Sequence, residues 1–435
     1  MTVSIDQTAS DFVARLLAGR AEDGADWLKA LRARALERAN ALPVPSTRDE
    51  DWRFTDLSPL YRASPAAGAG EPGRVTEADL APFDCPEAGH RLVFVDGVPR
   101  AELCRGATVP GLLVGLLSAP GVAALAQPWL GSVAAYEQDP FAAANTASLR
   151  DGAVLHAARG TAVAAPVHVL FVSTRAEAAS HPRLLVRAEP GSDLLLLEDH
   201  VSLVDGGYCV NAVAELLVGE GARVRHVRLQ RDSRTAFHIA TTAARVARDA
   251  TYESRSVALG GRISRHNLHV LQDGPGTHFD IDGLALLGGR QLADTHSFLD
   301  HAHPAGTSRQ LHKCVVSGGA HAVFNGRILV RPGAQQTSSA QESRNLLLSD
   351  KARVDTKPQL EIFADDVKCA HGAAVGQLEA EEVFYLRSRG LPEAAARALL
   401  TYGFAADAVD RIPVASVVAS LRRAIVGHTG GPGIA

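Results

Sequence analysis

A cysteine and a histidine lie two residues apart within residues 364–376, at Cys369 and His371. In an extended strand, residues two apart lie on the same face, so the thiol and the imidazole would project side by side. Both groups are ligands for iron and related metals. Two ligands do not complete a site, since structural zinc sites use four and catalytic sites usually use three. The pair therefore predicts either a site shared with a second chain, or a buried cysteine beside a hydrogen-bonded histidine.

A second group of possible ligands lies between residues 294 and 321. Its members are Asp294, His301, His303, His312 and His321. On a strand, His301 and His303 would share a face and Asp294 could add a carboxylate, which suggests a metal-dependent enzyme. The alternative is that these side chains satisfy turns or line exposed faces of a β structure.

Three further features have structural explanations that we favour over functional ones. His266 and His269 are three residues apart and would not share the face of a strand. Trp52 suggests either a docking contact or a ring packed under an arginine stem. Asp365 and Asp366 suggest either paired acids or carboxylates that form a turn at the boundary of a strand.

The composition argues against several classes of function. The 435 residues carry 44 Lys and Arg against 48 Asp and Glu with the two signs interspersed, so no basic surface predicts nucleic-acid binding. No run approaches the roughly 18 apolar residues of a membrane span, and the first 25 residues lack a secretory pattern. The five cysteines are scattered and contain no C-x-x-C pair, which argues against a disulfide framework. We expect a cytoplasmic protein that binds neither nucleic acid nor a membrane.

The start of the chain predicts a small helical unit. Apolar residues recur at three-to-four spacing over residues 26–40, and Pro43 ends this helix. A Pro/Gly/Ala-rich stretch from Ser64 to Gly73 then predicts a linker.

The end of the chain predicts three short helices. The first ends at Gly390, the second starts at Pro392 and ends by Gly403, and the third covers residues 414–426. Helices of this length are not stable alone, so they must pack on the β unit, on a partner, or on both.

The middle of the chain predicts β structure. Between about Val163 and Asp366, strand-like segments follow one another almost without helical interruption. Roughly 200 residues of strand exceed the usual size of one sandwich, so we favour a β-helix, in which each coil covers its neighbour. A large sandwich is the alternative, since no strict hexapeptide or nonapeptide period is present. We divide the chain into an N-terminal helical region and linker (1–90), a β-helix core (91–376) and a C-terminal helical domain (377–435).

Five segments carry a family resemblance. They are Glu50–Leu57 (EDWRFTDL), Phe324–Ile328 (FNGRI), Ser343–Ser349 (SRNLLLS), Asp366–Ala373 (DVKCAHGA) and Phe384–Gly390 (FYLRSRG). In this order, over essentially the whole length, they resemble the SufB/SufD family of iron–sulfur cluster assembly proteins. Each segment alone is a weak signal, but five in register are hard to obtain by chance.

The resemblance implies a right-handed parallel β-helix with an N-terminal helical region and a C-terminal helical domain. It also implies a complex with one SufB chain and two copies of the ABC-type ATPase SufC. The C-terminal helices would bind one SufC, and the β-helix would pair with that of SufB at the interface where the nascent cluster forms. The implied role is that of a scaffold and not of a catalyst. Consistent with that role, this chain contains no phosphate-binding G-x-x-x-x-G-K-[ST] motif.

Within this resemblance, His371 matches a histidine at the interface with SufB that is proposed as a cluster ligand or as a neighbour of the accepted sulfur. Cys369 lies beside it, and a metal held by His371 would be shared with the partner chain. SufB carries a cysteine around the position of Ser343 and a glutamate after its histidine, where this chain has Gly372. These departures favour the SufD branch of the family.

The resemblance also assigns a role to the first C-terminal helix. Phe384, Tyr385 and Arg389 are the candidates for binding SufC, and we expect Tyr385 and Arg389 to be the most exposed of the three. Tyrosine and arginine are enriched where protein interfaces contribute most affinity.

These observations leave three functional hypotheses. The first is a non-catalytic subunit of the SUF complex that supports formation of a transient iron–sulfur cluster, assists iron supply and holds no cofactor stably by itself. The second is a metal-dependent β-helical enzyme that uses residues 294–321. The third is a self-assembling solenoid, because an open coil end presents unpaired backbone groups. A homodimer of the isolated chain is compatible with the first hypothesis as well.

Overall fold

Two large, mostly parallel sheets form the centre of the computed structural model, which describes residues 5–67 and 71–429. The helices are α1 (Ile5–Leu16), α2 (Asp26–Ala41), α3 (Ser58–Ala63), α4 (Glu77–Leu80), α5 (Val122–Ala126), α6 (Pro140–Ala147), α7 (Ala380–Ser388), α8 (Glu393–Val409) and α9 (Ala415–Thr429). The first eleven strands are β1 (Ala66–Ala67), β2 (His90–Val95), β3 (Val98–Pro99), β4 (Arg105–Gly106), β5 (Leu112–Leu116), β6 (Ala153–Ala157), β7 (Val167–Ser173), β8 (Ala178–Ser180), β9 (Arg183–Ala188), β10 (Asp193–Ser202) and β11 (Cys209–Val218). The others are β12 (Arg223–Arg231), β13 (Phe237–Ala247), β14 (Thr251–Ala258), β15 (Ile263–Asp273), β16 (His278–Leu287), β17 (Leu292–His301), β18 (Thr307–Val316), β19 (His321–Val330), β20 (Thr337–Leu347), β21 (Arg353–Ile362) and β22 (Val367–Gly376).

Successive long strands alternate between the two sheets. Sheet A contains the odd-numbered strands from β9 to β21, and sheet B contains the even-numbered strands from β10 to β22. Each strand pairs in parallel with the strand two positions later, so that Asp193 is opposite Arg223 and Arg223 is opposite Thr251. One coil therefore takes about 30 residues, which confirms the predicted β-helix. The parallel pairing excludes the sandwich alternative, because sandwich sheets are antiparallel. The right-handed winding stays a prediction.

Side chains inside the coils stack in columns, because each residue lies beside its register partner in the next coil. One column consists of Leu194, Val224, Tyr252 and Phe279, and all four are fully buried. This stacking buries apolar surface continuously along the helix axis, and burial of such surface is the main driving force for folding.

The interior of the last coils is polar. Strand β20 turns Thr337, Ser339, Gln341, Ser343 and Asn345 inward, and each of them is more than nine-tenths buried. The residues between them are exposed, so the strand alternates strictly between the two sides. Buried polar groups need hydrogen-bond partners. The side chains in this part of the interior must therefore adopt defined orientations as well as fill the available volume.

Two histidines belong to this interior. His301 bonds to Gln272 at 3.0 Å and to Ser308 at 2.9 Å, and His312 stacks on the ring of Phe324 with centroids 4.7 Å apart. Burial disfavours the charged imidazolium and lowers the pKa of each histidine to about 4. Both are neutral in the folded protein at neutral pH.

The N-terminal helices cover the outer face of sheet A. Apolar residues of α1 and α2 share one core with outward-facing residues of sheet A such as Val213 and Ile239. The predicted helix over residues 26–40 is confirmed as α2. Helix α6 lies in the same layer, so the predicted β-helix range 91–376 also contains helices over residues 122–147.

The C-terminal helices cover the outer face of sheet B. Helices α8 and α9 pack on a row of apolar side chains that includes Leu284 and Val315, and the Lys313 ammonium binds the Asp407 carboxylate at 2.6 Å. The prediction that the second helix ends by Gly403 is wrong. Helix α8 continues to Val409 because its last turns are buried against sheet B, and that burial outweighs the low helix propensity of glycine.

The three predicted parts of the chain share these packed layers, and their division into domains stays a prediction. The predicted linker from Ser64 to Gly73 includes residues 68–70, which lie outside the described residues. The last predicted helix is present as α9 and extends to Thr429. Within the described ranges, none of the helices combines the length and the apolar character that a membrane crossing needs.

Truncation of a stacked interior side chain tests the column packing. Phe279→Ala removes a fully buried ring that stacks on His301 with centroids 5.4 Å apart, so we expect a loss of about 3–5 kcal/mol in the free energy of unfolding. Urea unfolding followed by circular dichroism measures this loss. Leu203→Ala is the control, because its side chain is 39% exposed and should cost within about 0.5 kcal/mol. Equal losses for the two variants would contradict the stacked interior.

The buried histidines predict a loss of stability in mild acid. The unfolded chain binds a proton on His312 below about pH 6.5, whereas the folded chain does so only below about pH 4, so stability falls as the pH falls through this window. At pH 4.5 this one residue should account for roughly 2–3 kcal/mol of that loss. His312→Leu should therefore lose less stability than the natural sequence between pH 7.5 and pH 4.5. Leu287→Ala, which removes a buried uncharged side chain, should cost the same at both pH values. Parallel pH curves for His312→Leu and the natural sequence would contradict this assignment.

Candidate functional site

Cys369 and His371 both lie on β22, the last strand of sheet B. Strand β22 pairs with β20, which places Cys369 opposite Ser339 and His371 opposite Gln341. Because side chains alternate along a strand, Cys369 and His371 lie on the same face, as their spacing predicts. In the described part of the chain, the other edge of β22 pairs with no strand.

The shared face of β22 is the one that continues the interior columns. Cys369 is half-buried and packs against the apolar core of the coils, whereas His371 is exposed at the open end of the β-helix. Burial raises the pKa of the Cys369 thiol, and a thiol must lose its proton before it can bind a metal. Neutral imidazole is an iron ligand without that step. His371 is therefore the more accessible metal ligand of the two.

The open end of the β-helix also exposes apolar side chains. Ile362 and Phe363, at the end of β21, are 40% and 62% exposed, and Val375 of β22 is 47% exposed. Strand β21 also contains Pro358, which is compatible with an edge strand because proline cannot donate a backbone hydrogen bond to a further strand. This end combines unpaired strand edges with exposed apolar surface, which is a common arrangement for pairing with another chain.

The two candidate ligands do not make a complete metal site. Across the described residues, no three His, Cys, Asp or Glu side chains come together in an arrangement that could hold a metal ion. Any metal bound by His371 therefore needs further ligands from another molecule.

The ligands of the alternative enzyme hypothesis lie on opposite faces of sheet A. Asp294 faces outward, where its carboxylate pairs with the Arg265 guanidinium at 2.7 Å and accepts a hydrogen bond from Thr55. His301, seven residues later, faces the interior of the β-helix. The sheet separates the two side chains, so they do not form one site.

The other histidines of residues 294–321 are dispersed as well. His312 lies in the interior, His321 bonds to the Asp355 carboxylate at 2.6 Å, and His303 lies in the turn after β17. Their positions fit the structural explanation, in which each satisfies its own surroundings.

The remaining candidates also have structural contacts. The Trp52 ring lies 3.8 Å from the Arg265 guanidinium and is 9% exposed, so it packs under an arginine as the structural alternative proposed. Asp365 and Asp366 lie in the turn before β22, and the backbone N–H of Asp366 donates to the Gln335 side chain.

Phe384 and Tyr385 lie on α7 and Arg389 directly follows it, and no residue of α7 belongs to the apolar layer on sheet B. Of its residues only Val383 is buried, while Phe384 is 71% exposed and Tyr385 is 57% exposed. The Arg389 guanidinium lies 5.3 Å from the centroid of the Tyr385 ring. The expected order of exposure is wrong for Phe384, which is more exposed than Tyr385 because the Arg389 guanidinium lies over the Tyr385 ring. The three side chains form one surface with an aromatic and cationic character.

Sequence reasoning missed the polar interior beneath β22. The segment 337–345 reads as a polar run, yet its odd-numbered residues are buried and its even-numbered residues are exposed. The period of two was present in the sequence, but a run whose single apolar residue is the small Ala340 gives no indication of which face is buried. Gln341, directly beside His371 in the register, was not identified for this reason.

Comparison with known proteins places the chain in a family. A family model described as the SufBD core domain of the SUF system for iron–sulfur cluster assembly matches residues 171–404. An iron–sulfur cluster assembly SufBD family protein of Synechocystis is 40% identical over 408 residues, which cover 91% of this chain and 89% of the relative. The iron–sulfur cluster assembly protein SufD of Escherichia coli is 31% identical over 373 residues, which cover 85% of each chain. The SufD protein of Bacillus subtilis is 28% identical over 405 residues, which cover 90% of this chain and 91% of the relative. The parallel coils, the paired Cys369 and His371 and these relatives lead to one conclusion: the chain belongs to the SufBD family of iron–sulfur cluster assembly proteins.

Proposed function

We propose that this chain is a non-catalytic, SufD-type subunit of a cytoplasmic SUF complex, which presents His371 to a nascent iron–sulfur cluster. The cluster is the cargo of the complex, and it forms transiently at the contact between this β-helix and that of a SufB partner. The observation that carries the proposal is the position of His371, which is exposed on the last strand of an open coil. The partner supplies the ligands that this chain lacks.

The open end supports pairing with a second β-helix. Strands β21 and β22 offer unpaired backbone groups, and their exposed apolar side chains would lose contact with water on pairing. A strand from the partner that continues sheet B would place the side chains of that strand directly beside Cys369 and His371, about 4.8 Å away. A partner thiolate at this position would complete a shared site with His371.

The exposed surface of α7 supports binding to the ATPase SufC. Phe384, Tyr385 and Arg389 are residue types that contribute strongly to protein interfaces. Helices α8 and α9 are anchored on sheet B, so a movement of the ATPase would be transmitted to the coils. Two SufC chains, one on this subunit and one on SufB, would then drive a rearrangement of the shared site by closing on ATP.

The cysteines support a reducing compartment. All five are free thiols, and burial raises the pKa of each of them, which disfavours the thiolate form that binds iron. In the proposed supply of iron to the shared site, His371 would bind iron before Cys369 does, because neutral imidazole binds iron without first losing a proton.

Substitution of the exposed histidine tests its chemical role. In cells that depend on this system, His371→Ala should reduce the activity of iron–sulfur enzymes at least about tenfold, since even the loss of a residue that supports a metal ligand has an effect of this size. The amount of complex with SufB and SufC should stay unchanged, because the side chain is exposed. His278→Ala is the matched control, as this exposed histidine lies on the outer face of β16. Loss of the complex would show that His371 is needed for assembly of the subunits. Normal activity of the iron–sulfur enzymes would show that His371 takes no part in the cluster chemistry.

Substitution of the exposed aromatic residues tests the ATPase contact. Phe384→Glu should weaken co-purification with SufC about 30-fold or more, which corresponds to the loss of one central interface residue. The fold should be retained, since the side chain is 71% exposed. Leu203→Glu, which alters an exposed apolar residue in the turn after β10, is the control and should bind normally. If Phe384→Glu binds SufC as well as the natural sequence does, the ATPase contact does not lie on α7.

A further inference from the structure

The two strands at the open end of the β-helix each have a free edge, which is the edge that pairs with no strand in the described part of the chain. In a parallel ladder, the backbone N–H and C=O groups of one residue point to one neighbouring strand, and those of the next residue point to the other. The direction of a few backbone bonds therefore shows which residues of β21 and β22 face the free edges.

The free edge of β21 carries its even-numbered residues. The N–H of Arg353 bonds to the C=O of Ala320 at 3.0 Å, and the N–H of Phe363 bonds to the C=O of Val330 at 2.9 Å. The register of β21 with β19 is continuous between these two bonds, so the odd-numbered residues of β21 bond to β19. The even-numbered residues, which include Pro358, point their backbone groups away from β19.

The free edge of β22 carries its odd-numbered residues. In β20, the N–H groups of Ser338 and Leu348 bond on the side of β18, so the odd-numbered residues of β20 face β22. The continuous register of β20 with β22 then turns the even-numbered residues of β22 toward β20. The residues of β22 whose backbone groups point to the free edge are Val367, Cys369, His371, Ala373 and Val375.

The two free edges differ in their capacity to bind a further strand. A row of regularly spaced N–H and C=O groups is complementary to the backbone of another strand. On β22 every residue of this row can both donate and accept, because none of them is proline. On β21 the middle residue of the row is Pro358, which has no N–H and whose ring projects toward the position of an added strand.

The side chains beside the two free edges differ as well. Those on the outer face of β21 are mostly charged: Arg353, Asp355, Lys357, Gln359 and Glu361. Their charges pair within this chain, as Glu361 does with Arg327 at 2.8 Å. Those on the outer face of β22 are mostly small: Lys368, Ala370, Gly372, Ala374 and Gly376. Natural sheets protect an edge from further pairing with proline and with charged side chains, and β21 has both.

We propose that Pro358 and the charged outer row of β21 close the edge of sheet A, so that a second β-helix adds its strand to β22 alone. This inference rests on the proposed pairing of two β-helices and specifies where that pairing occurs. The occupant of the free edge of β22 is a strand of the partner, and the small outer side chains of β22 leave room for the side chains of that strand. Pro358 is thus a residue that determines the specificity of the contact without taking part in it.

Amide hydrogen exchange measured by mass spectrometry tests the assignment on the natural sequence. The full chain is compared alone and in the co-expressed complex with SufB and SufC. Peptides from β22 should exchange at least about tenfold more slowly in the complex, because the added strand binds the free-edge N–H groups. Peptides from β21 should change by less than about twofold. Equal protection of β21, or no protection of β22, would overturn the proposal.

Proline substitutions test the same assignment through affinity. Ala373→Pro removes a free-edge N–H from β22 and breaks no bond to β20, so the β-helix should fold. It should weaken binding of SufB about tenfold or more, since a carbonyl of the added strand is left unpaired. Thr356→Pro is the matched control, because it removes a free-edge N–H from β21 and should change the affinity by less than about twofold.

Circular dichroism establishes that each variant is folded. If Ala373→Pro does not fold, Val375→Pro removes another free-edge N–H of the same strand and takes its place. Normal affinity of the folded β22 variant, or equal losses in the β21 and β22 variants, would contradict the assignment.

A failure of this inference is distinguishable from a failure of the proposed function. If the natural sequence forms no complex with SufB, the proposed function is wrong and the assignment of its contact is wrong with it. If His371→Ala keeps the iron–sulfur enzymes active while Ala373→Pro loses SufB, the edge assignment is confirmed and only the cluster role fails.

Discussion

The parallel register between successive coils is the constraint on which the other features of this protein depend. The backbone N–H and C=O groups of an internal strand bond to the strand about 30 residues earlier and to the strand about 30 residues later, so every side chain must lie beside a defined partner in the next coil. The inward side chains form columns, and a column is stable only when each member fits the one before it. The outward side chains form flat rows on which helices can pack. A shift of one residue would exchange the two sets and expose the core.

The same register explains why the last coil differs from all the others. An internal strand has a neighbour on both edges, whereas β22 has only β20 in the described part of the chain. Its inward residues therefore continue the interior columns and yet reach solvent. Cys369 still packs against the apolar core, whereas His371, two residues further along the strand, is exposed to solvent. A side chain such as His371 is thus held by a rigid scaffold and is at the same time accessible to another chain.

The N-terminal and C-terminal helical layers differ in how completely they pack on the coils. The N-terminal layer is joined to sheet A by a continuous apolar core, with buried ionic contacts such as that of Arg265 with Asp294 beneath it. In the C-terminal layer, α8 and α9 are packed in a similar way, but α7 keeps its aromatic residues in solvent. Among the described residues, the N-terminal layer closes one flank of the coils, whereas exposed apolar area remains at α7 and at the open coil end. In the polar interior near that end, stability depends on hydrogen-bond geometry more than on buried apolar area.

Local patterns in the sequence were sufficient to identify the class of fold and the most informative pair of residues. Dense strands without intervening helices indicated stacked coils, three-to-four spacing located α2 and the terminal helices, and the spacing of Cys369 and His371 placed them on one face, because these periods arise within a few residues of backbone. Only the tertiary structure decided that α8 extends past Gly403 and that Gln341 lies opposite His371 in the register. Each of these depends on contacts between residues about 30 or more positions apart. No local period specifies which coil residue will be the neighbour of another, since the register is set by the packing of the whole stack.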